Sequence, residues 1–138
     1  MFNAPRERVW REWTDPERFA DWYGGPEWEV PLSTVTMDVR PGGRLRLTMV
    51  GPPDGRVRID WEGEYLEVEA PGRLVFTIGS RPGTEDFERV TVILTELAAG
   101  RTEMLFEQRG SMSPEQYERA TEGWGTFFDR LEQQLTTA

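Results

Sequence analysis

Residues 113–135, SPEQYERATEGWGTFFDRLEQQL, carry the clearest helical pattern in the chain. Ser113 is a favourable N-cap, Pro114 is tolerated in a first helical turn, and Gln116 can bond back to the capping residue. Apolar side chains then recur every three or four residues, so they share one helical face. They are Tyr117, Ala120, Trp124, Phe127, Leu131 and Leu135. A long amphipathic helix is therefore predicted, and its apolar face needs an apolar surface to lie on.

The middle of the chain supplies such a surface, because its apolar residues alternate with polar ones as in half-buried strands. In residues 44–50, for example, Leu45, Leu47 and Met49 occupy every second position. Six stretches show this pattern: 33–39, 44–50, 56–69, 73–80, 88–97 and 101–109. The short links between most of them contain glycine and proline, which favours antiparallel pairing of successive strands. Longer polar loops are predicted at residues 51–55 and 81–86.

Two short helices are predicted ahead of the strands. The first begins after Pro5, and the second begins at Asp15-Pro16, where the aspartate can cap and the proline suits the first turn. Gly24-Gly25-Pro26 is predicted to end the second helix. The sequence thus predicts an α+β fold with two N-terminal helices, an antiparallel sheet of about six to seven strands and a long C-terminal helix. A single domain over residues 1–138 is expected from this length.

The composition restricts the possible chemistry. The chain has a formal net charge of −9, it contains no cysteine and no histidine, and all sixteen of its basic residues are arginine. Thiolate, histidine and lysine catalysis are thereby excluded, as are metal sites with cysteine ligands. We assign no catalytic residue, no metal ligand and no cofactor. The negative charge argues against binding to nucleic acid or to an anionic membrane surface.

The sequence also bears on location. No apolar run approaches the roughly 18 residues of a membrane-spanning helix, and the N-terminus lacks the apolar core of a signal peptide. We expect a cytoplasmic protein. The exclusive use of arginine among the basic residues suggests a GC-rich bacterial source.

Several segments, in a fixed order, resemble a known family. They are AP (4–5), VW (9–10), WTDPE (13–17), Trp22, DVRPGG (38–43), GEYLE (63–67), RLVFT (73–77) and EGW (122–124). The ordered set spans nearly the whole chain and resembles the activator-of-Hsp90-ATPase-like family, which belongs to the START-like, helix-grip superfamily. The resemblance implies a β-α-α-β6-α fold, with a hydrophobic cavity between a curved sheet and the C-terminal helix.

The chain departs from the family pattern at its start. Relatives usually carry a full strand before Ala4-Pro5, where this sequence has only Met1-Phe2-Asn3. Three explanations stay open: a misplaced start codon, a trimmed strand, or a strand supplied by a neighbouring chain. Because a missing edge strand exposes unpaired backbone groups, a homodimer formed through that edge is one expected partner state.

The resemblance also implies a lining for the cavity. We predict that ten residues bind the ligand: Trp22, Leu47, Met49, Trp61, Tyr65, Phe76, Met104, Phe106, Trp124 and Phe128. The residues alone favour an ordinary aromatic core over a cavity lining. With the resemblance taken into account, the two interpretations are about equally favoured. Gly123 and Gly125, inside the long helix, indicate either close packing on the sheet or room for a ligand, and we prefer close packing.

Two further features have alternative interpretations. Asp60, Glu62 and Glu64 share a strand face, which could form an acid–base or metal cluster, but strand alternation favours a solvated outer face with arginine partners. Residues 22–26, WYGGP, could form a gate at the cavity rim or could simply end a helix. We leave this second choice open.

Three functions are considered. The preferred one is a binding protein for a small hydrophobic molecule, without catalysis. The second is an enzyme like the polyketide cyclases and aromatases of the superfamily, which a buried polar group on the inner face, such as Gln108 or Asp38, would support. The third is stimulation of a chaperone ATPase, the role behind the family name, and the single-domain form argues against such a partner.

Overall fold

The computed structural model describes residues 2–24, 28–51, 57–79, 88–98, 100–110 and 112–136. Its elements, in chain order, are α1 (Arg6–Thr14), α2 (Pro16–Trp22), a one-turn 3-10 helix (Leu32–Thr34), β1 (Thr36–Met37), β2 (Arg44–Gly51), β3 (Val57–Glu69), β4 (Arg73–Ile78), β5 (Glu88–Ala98), β6 (Arg101–Arg109) and α3 (Pro114–Thr136). Of the loop predicted at 51–55, Gly51 instead ends β2, and residues 52–55 lie outside the described residues. The loop predicted at 81–86 and the helix stop at Gly25-Pro26 also lie outside them.

The six strands form one antiparallel sheet in which every strand pairs with its neighbour in the sequence. The predicted α+β architecture is confirmed: two short helices, an antiparallel meander and a long C-terminal helix. The side chains at alternate strand positions are buried as predicted, for example Leu45, Leu47 and Met49 in β2 and Val90 and Val92 in β5.

The sheet is strongly bent along β3. Residues 57–64 of this strand pair with β2, whereas the register with β4 covers residues 65–69 and shifts between Tyr65 and Glu67. Gly63 lies where the two pairings meet, and a Cβ there would fall 1.6 Å from the carbonyl oxygen of Thr77. Only glycine permits this approach of two backbones.

The first strand is shorter than predicted. Residues 33–39 were expected to be extended, but only Thr36–Met37 pair with β2. Thr34 instead folds back on Pro31, whose carbonyl oxygen accepts from both the backbone nitrogen and the hydroxyl of Thr34, at 2.9 and 2.7 Å. A threonine side chain that bonds to nearby backbone offers an alternative to the strand ladder.

The N-terminal residues occupy one position beside β6. Phe2 exchanges two backbone hydrogen bonds with Thr102, of 2.8 and 2.9 Å, and the Thr102 hydroxyl donates to the Ala4 carbonyl at 2.7 Å. The start of the chain therefore makes a single bridge to β6 in place of the full strand that the resemblance implies.

The caps of the helices form as the sequence predicts. Asp15 accepts from the backbone nitrogens of Glu17 and Arg18, at 3.0 and 3.4 Å. Ser113 and Gln116 bond reciprocally, at 2.8 and 3.2 Å, and begin α3. Both motifs satisfy amide groups that a helix start leaves without partners.

The core lies between the sheet and the three helices, and aromatic rings fill much of it. Trp13 of α1 is its centre, because its ring lies within 6.4 Å, centroid to centroid, of six other rings. These belong to Phe19, Trp22, Phe76, Phe106, Trp124 and Phe128. α1, α2, the sheet and α3 are thus connected through one side chain.

Candidate functional site

Two concave regions lie along α3. The inner pocket is a space of about 200 Å³ between the sheet and α3. Its lining is apolar except for two side chains, Glu88 and Gln108. The lining residues are Tyr23, Met49, Trp61, Ile78, Glu88, Gln108, Met112, Ala120, Gly123, Trp124 and Phe127.

The second region, the edge groove, is a wider depression of about 660 Å³ between β6 and α3. Met104, Leu105, Phe106 and Gln108 line it on the strand side. On the helix side lie Tyr117, Ala120, Thr121, Trp124, Gly125, Phe128, Asp129 and Glu132, and Phe2 also contributes to the groove. The inner pocket and the edge groove share Gln108 and Trp124, which stand between them.

A short polar chain forms one side of the inner pocket. The indole nitrogen of Trp124 donates to the side-chain oxygen of Gln108 at 2.8 Å, and the amide nitrogen of Gln108 donates to Glu88 at 3.2 Å. Glu88 is buried. The hydroxyl of Tyr117 lies near the same carboxylate and accepts a 3.4 Å hydrogen bond from the backbone nitrogen of Met112.

Strand register explains why these polar groups face inward. Gln108 lies opposite Val90 in the β5–β6 ladder, and Glu88 lies two residues before Val90 on β5. Side chains two residues apart on a strand point to the same face. Glu88 therefore joins Val90, Val92 and Leu94 on the inner face, and a polar residue in phase with buried apolar ones was the signal that could have identified it.

The tyrosines of this region are held in their neutral form. Burial raises the pKa of Tyr23, which lines the inner pocket. The pKa of Tyr117 is also raised, first by desolvation and then by its interactions with Glu88. Neutral phenols are therefore expected at physiological pH.

The predicted ligand-binding residues do not meet in one place. Met49, Trp61 and Trp124 line the inner pocket. Met104, Phe106 and Phe128, again with Trp124, line the edge groove. The remaining four are buried core side chains that line neither region: Trp22, Leu47, Tyr65 and Phe76. The prediction assumed that the apolar side chains on one face of the sheet line a single cavity. The aromatic cluster around Trp13 instead fills the space in front of the central part of that face.

The interpretation of Gly123 and Gly125 as close-packing positions is wrong. A Cβ at either residue would meet no atom within 4 Å among the described neighbours. Gly123 lines the inner pocket and Gly125 lines the edge groove. The two glycines therefore leave space beside α3, which agrees with the alternative interpretation of the sequence.

The acidic face of β3 makes surface contacts. Glu62 lies 3.5 Å from Arg46, and Asp60 accepts a 2.7 Å hydrogen bond from the hydroxyl of Thr48. In the described ranges, no three acidic side chains come together as metal ligands would. Asp38 is exposed and pairs with Arg40 at 2.8 Å, so of the two polar candidates only Gln108 faces the interior.

The possible gate at residues 22–26 is only partly described. Trp22 and Tyr23 are buried, and Gly25-Pro26 lies outside the described residues. None of the helices that the structure describes combines the length and the apolar character needed to span a bilayer.

The family model described as "Activator of Hsp90 ATPase homolog 1-like protein" matches residues 3–136. No match was found among curated proteins.

Solved structures share the fold over nearly the whole chain. A protein from Chromobacterium violaceum is 23% identical, with a TM-score of 0.85 over 99% of this chain and 93% of its own. The AHSA1 protein from Silicibacter pomeroyi is 23% identical, with a TM-score of 0.84 over 97% and 92%. A protein from Arthrobacter aurescens is 28% identical, with a TM-score of 0.83 over 99% and 83%.

These likenesses agree with the START-like, helix-grip arrangement of a bent antiparallel sheet and a long C-terminal helix. Together with the match over residues 3–136, they establish that this chain belongs to the activator of Hsp90 ATPase homolog 1-like family.

Proposed function

We propose that the chain binds a small hydrophobic molecule in the inner pocket. The observation that carries this proposal is a space of about 200 Å³ between the sheet and α3 whose lining is apolar except for Glu88 and Gln108. Apolar concavities with a few converging polar groups are typical of small-molecule sites. The apolar walls would supply the affinity, and the polar pair would orient the ligand.

The volume limits the size of the ligand. Drug-sized molecules occupy pockets of roughly 300–1,000 Å³, whereas an apolar cavity of about 150 Å³ holds benzene. The inner pocket, at about 200 Å³, is close to the second case. A molecule with one substituted ring fits without any movement of the protein.

The polar groups indicate which substituent suits the ring. A carboxylate has several acceptor positions, so Glu88 can accept from a ligand in addition to the amide of Gln108 and the hydroxyl of Tyr117. Trp61 also lines the pocket, and within the described ranges its indole nitrogen is buried without a hydrogen-bond partner. A hydroxyl group both donates and accepts, which matches these two residues better than a purely apolar ligand does.

Binding can be tested with benzene, phenol and naphthalene by ligand-observed NMR and by the shift in thermal unfolding. Gly123→Leu places a side chain in the inner pocket, and Gly125→Leu places the same side chain over the edge groove. We expect phenol to bind the parent chain and Gly125→Leu, but not Gly123→Leu. Undiminished binding to Gly123→Leu, or loss in Gly125→Leu alone, would contradict the inner pocket as the site.

A cyclase-like enzyme is the second candidate, and the buried carboxylate of Glu88 on the pocket wall favours it. A carboxylate in an apolar pocket can act as a general base toward an acidic C–H or O–H group. Conversion of a linear β-keto thioester that is short enough to give a single ring, abolished in Glu88→Gln, would support catalysis. Recovery of the compound unchanged would leave binding as the function.

A further inference from the structure

The polar side of the inner pocket is an ordered network of hydrogen bonds. The indole nitrogen of Trp124 can only donate, so it fixes the side-chain oxygen of Gln108 toward itself, at 2.8 Å. The amide nitrogen of Gln108 then faces the carboxylate of Glu88, at 3.2 Å. Glu88 is buried, and both side chains line the pocket. Together Glu88 and Gln108 are called the polar corner below.

The donor hydrogens around the polar corner are already used. The amide nitrogen of Gln108 carries two hydrogens, and it lies 3.2 Å from Glu88 and 3.9 Å from the sulfur of Met112. The hydroxyl of Tyr117 donates to Glu88 and accepts from the backbone nitrogen of Met112. The single indole hydrogen of Trp124 is bonded to Gln108. Gln108, Tyr117 and Trp124 therefore have no side-chain hydrogen left for a ligand.

The polar corner has more acceptor positions than these donors occupy. A carbonyl oxygen has two lone pairs, so the oxygen of Gln108 can accept a second bond beside the one from Trp124. A carboxylate has about four acceptor positions, of which Gln108 and Tyr117 take two. The polar corner thus presents lone pairs to the pocket and not hydrogens. A ligand that matches it must be a hydrogen-bond donor.

The two acceptors of the polar corner are neighbours in space. The nitrogen and the oxygen of an amide share one carbon atom, and the nitrogen of Gln108 lies 3.2 Å from Glu88. The oxygen of Gln108 and the carboxylate of Glu88 therefore flank the same N–H group. Strand register holds them in place, since Gln108 lies opposite Val90 and Glu88 precedes Val90 by two residues. Two donors on adjacent atoms of a ligand can reach both acceptors.

We propose that the ligand of the inner pocket is a catechol-type ring, whose hydroxyl groups on adjacent carbons donate to Glu88 and to Gln108. This inference rests on the proposed function, because it names the chemical class of the hydrophobic molecule at the same site. Phenol satisfies one of the two acceptors, whereas a catechol ring satisfies both. A hydroxyl oxygen can still accept from the indole of Trp61, which has no partner within the described ranges.

The apolar part of the lining suits an aromatic ring. Tyr23, Trp124 and Phe127 line the pocket and pack against one another in tilted or edge-to-face pairs, with ring centroids from 5.0 to 5.6 Å apart. Met49 and Met112 add sulfur atoms to the same lining. Aromatic rings attract one another edge to face, and thioether sulfur makes favourable contacts with ring edges. A flat ring with polar groups on one side therefore matches both parts of the pocket.

The position of the second hydroxyl provides the test. Catechol, resorcinol and hydroquinone have the same formula, and only catechol carries its hydroxyls on adjacent carbons. Calorimetric titration of the parent chain, with ascorbate to keep each diol reduced, gives their dissociation constants beside that of phenol. We expect catechol to bind about tenfold more tightly than phenol, which corresponds to one further hydrogen bond. Resorcinol and hydroquinone should bind no better than phenol, because their second hydroxyl is buried without an acceptor.

Two variants test which residues accept from the second hydroxyl. Glu88→Met and Gln108→Met keep an unbranched side chain of similar length, and each removes one acceptor of the polar corner. Each should lower the ratio of catechol affinity to phenol affinity to about one. Glu107→Met is the matched control, since it makes the same change at an exposed position of β6 and should leave the ratio as it is. Circular dichroism establishes that each variant is folded, and the ligand series on the parent chain needs no variant.

Two outcomes would overturn the proposal. One is catechol binding no tighter than resorcinol and hydroquinone, and the other is a preference for catechol that survives both Glu88→Met and Gln108→Met. In either case, phenol binding that is lost in Gly123→Leu would still support the inner pocket as the binding site. Failure of phenol and of all three diols to bind the parent chain would overturn the proposed function together with this inference.

Discussion

The indole nitrogen of Trp124 donates a hydrogen bond of 2.8 Å to the side-chain oxygen of Gln108. This bond ties the middle of α3 to β6 at the point where the inner pocket and the edge groove meet. Trp124 also packs on Phe106, with ring centroids 4.6 Å apart. Trp124 is therefore packed in the core and also lines both concave regions.

Substitutions at Trp124 should separate the contribution of its hydrogen bond to stability from the contribution of its ring packing. Trp124→Phe keeps an aromatic ring but leaves the oxygen of Gln108 without its donor, which should lower the free energy of unfolding by about 1–3 kcal/mol. Trp124→Ala also creates a cavity and should cost about 3–5 kcal/mol. Urea unfolding measures both. In a double-mutant cycle with Gln108→Leu, we expect a coupling of at least about 0.5 kcal/mol, and strict additivity would show that the bond is not formed.

The empty space at Gly123 and Gly125 predicts that alanine will stabilise α3. Glycine inside a helix is less favourable than alanine by about 1 kcal/mol, and a Cβ at either position meets no neighbour within 4 Å. Gly123→Ala and Gly125→Ala should each raise the free energy of unfolding by up to that amount. Destabilisation by either change would restore the interpretation that these glycines pack closely.

Gly63 should respond in the opposite way. An alanine Cβ would lie 1.6 Å from the carbonyl oxygen of Thr77, so the bend of β3 would have to open. We expect Gly63→Ala to lower the free energy of unfolding by roughly 3 kcal/mol, as overpacking against rigid backbone does. Gly123→Ala is the matched control, since it adds the same methyl group to open space. Similar stabilities for the two variants would refute the close approach at Gly63.

Alkaline pH should destabilise the protein through its tyrosines. Burial raises the pKa of Tyr23 and of Tyr65, and the charge of Asp38 raises the pKa of Tyr65 further. A raised pKa in the folded state means that the contribution to stability is complete below pH ~10, where unfolded tyrosine is neutral, and is lost as the pH rises further. The chain has no lysine and no cysteine to titrate in the same range.

The stability of the parent chain should therefore fall above pH ~10, by about 1.4 kcal/mol per pH unit for each buried tyrosine. Urea unfolding from pH 8 to 12, with absorbance at 295 nm to follow phenolate, measures this fall. Tyr65→Phe should reduce this slope by about 1.4 kcal/mol per pH unit, the contribution of one buried tyrosine. Early and non-cooperative ionisation of Tyr23 and Tyr65 would contradict their burial.

The elements of the fold were predictable because each is encoded locally. The reciprocal bonds of Ser113 and Gln116 and the cap at Asp15 follow from side chains within three residues of each other. The strands follow from alternation alone, apart from residues 33–35 and 38–39, and at 33–35 the bond between Thr34 and Pro31 competes with the ladder. Patterns of this range fix the type and order of elements without any knowledge of packing.

The site was predicted less well, because its shape depends on long-range packing. Alternation places Trp61 and Phe76 on one face of the sheet, but it does not show that Trp13 fills the space in front of Phe76. Glu88 was missed because a charged side chain at the start of a strand is usually exposed. Its phase with Val90 and Val92 points it inward, and its pairing with β4 and the bond from Gln108 place it beside the pocket.

The same difficulty hid the buried carboxylate of Glu12, which connects the three helices. Its side chain is fully buried in α1, bonds to Arg18 of α2 at 3.2 Å, and accepts from the amide of Gln134 of α3. On a helix, Glu12 would be expected at the surface with its charged neighbours. The structure instead makes it the group through which α3 is fixed to the N-terminal helices.

Arg18→Ala should expose how much this carboxylate depends on its cation. Removing one partner of a fully buried pair costs about 3–5 kcal/mol, but the Arg18 side chain is 42% exposed, so water can partly replace it. We expect a loss of about 1–3 kcal/mol in urea unfolding.

Replacing both partners, as Glu12→Leu with Arg18→Leu, should lower the free energy of unfolding by less than the sum of the separate Glu12→Leu and Arg18→Leu changes, because no buried charge is left alone. Gln134 keeps a partner in that double variant, since its amide also donates to the Arg18 carbonyl at 3.0 Å. A double variant as unstable as that sum would show that the pair matters through packing and not through charge.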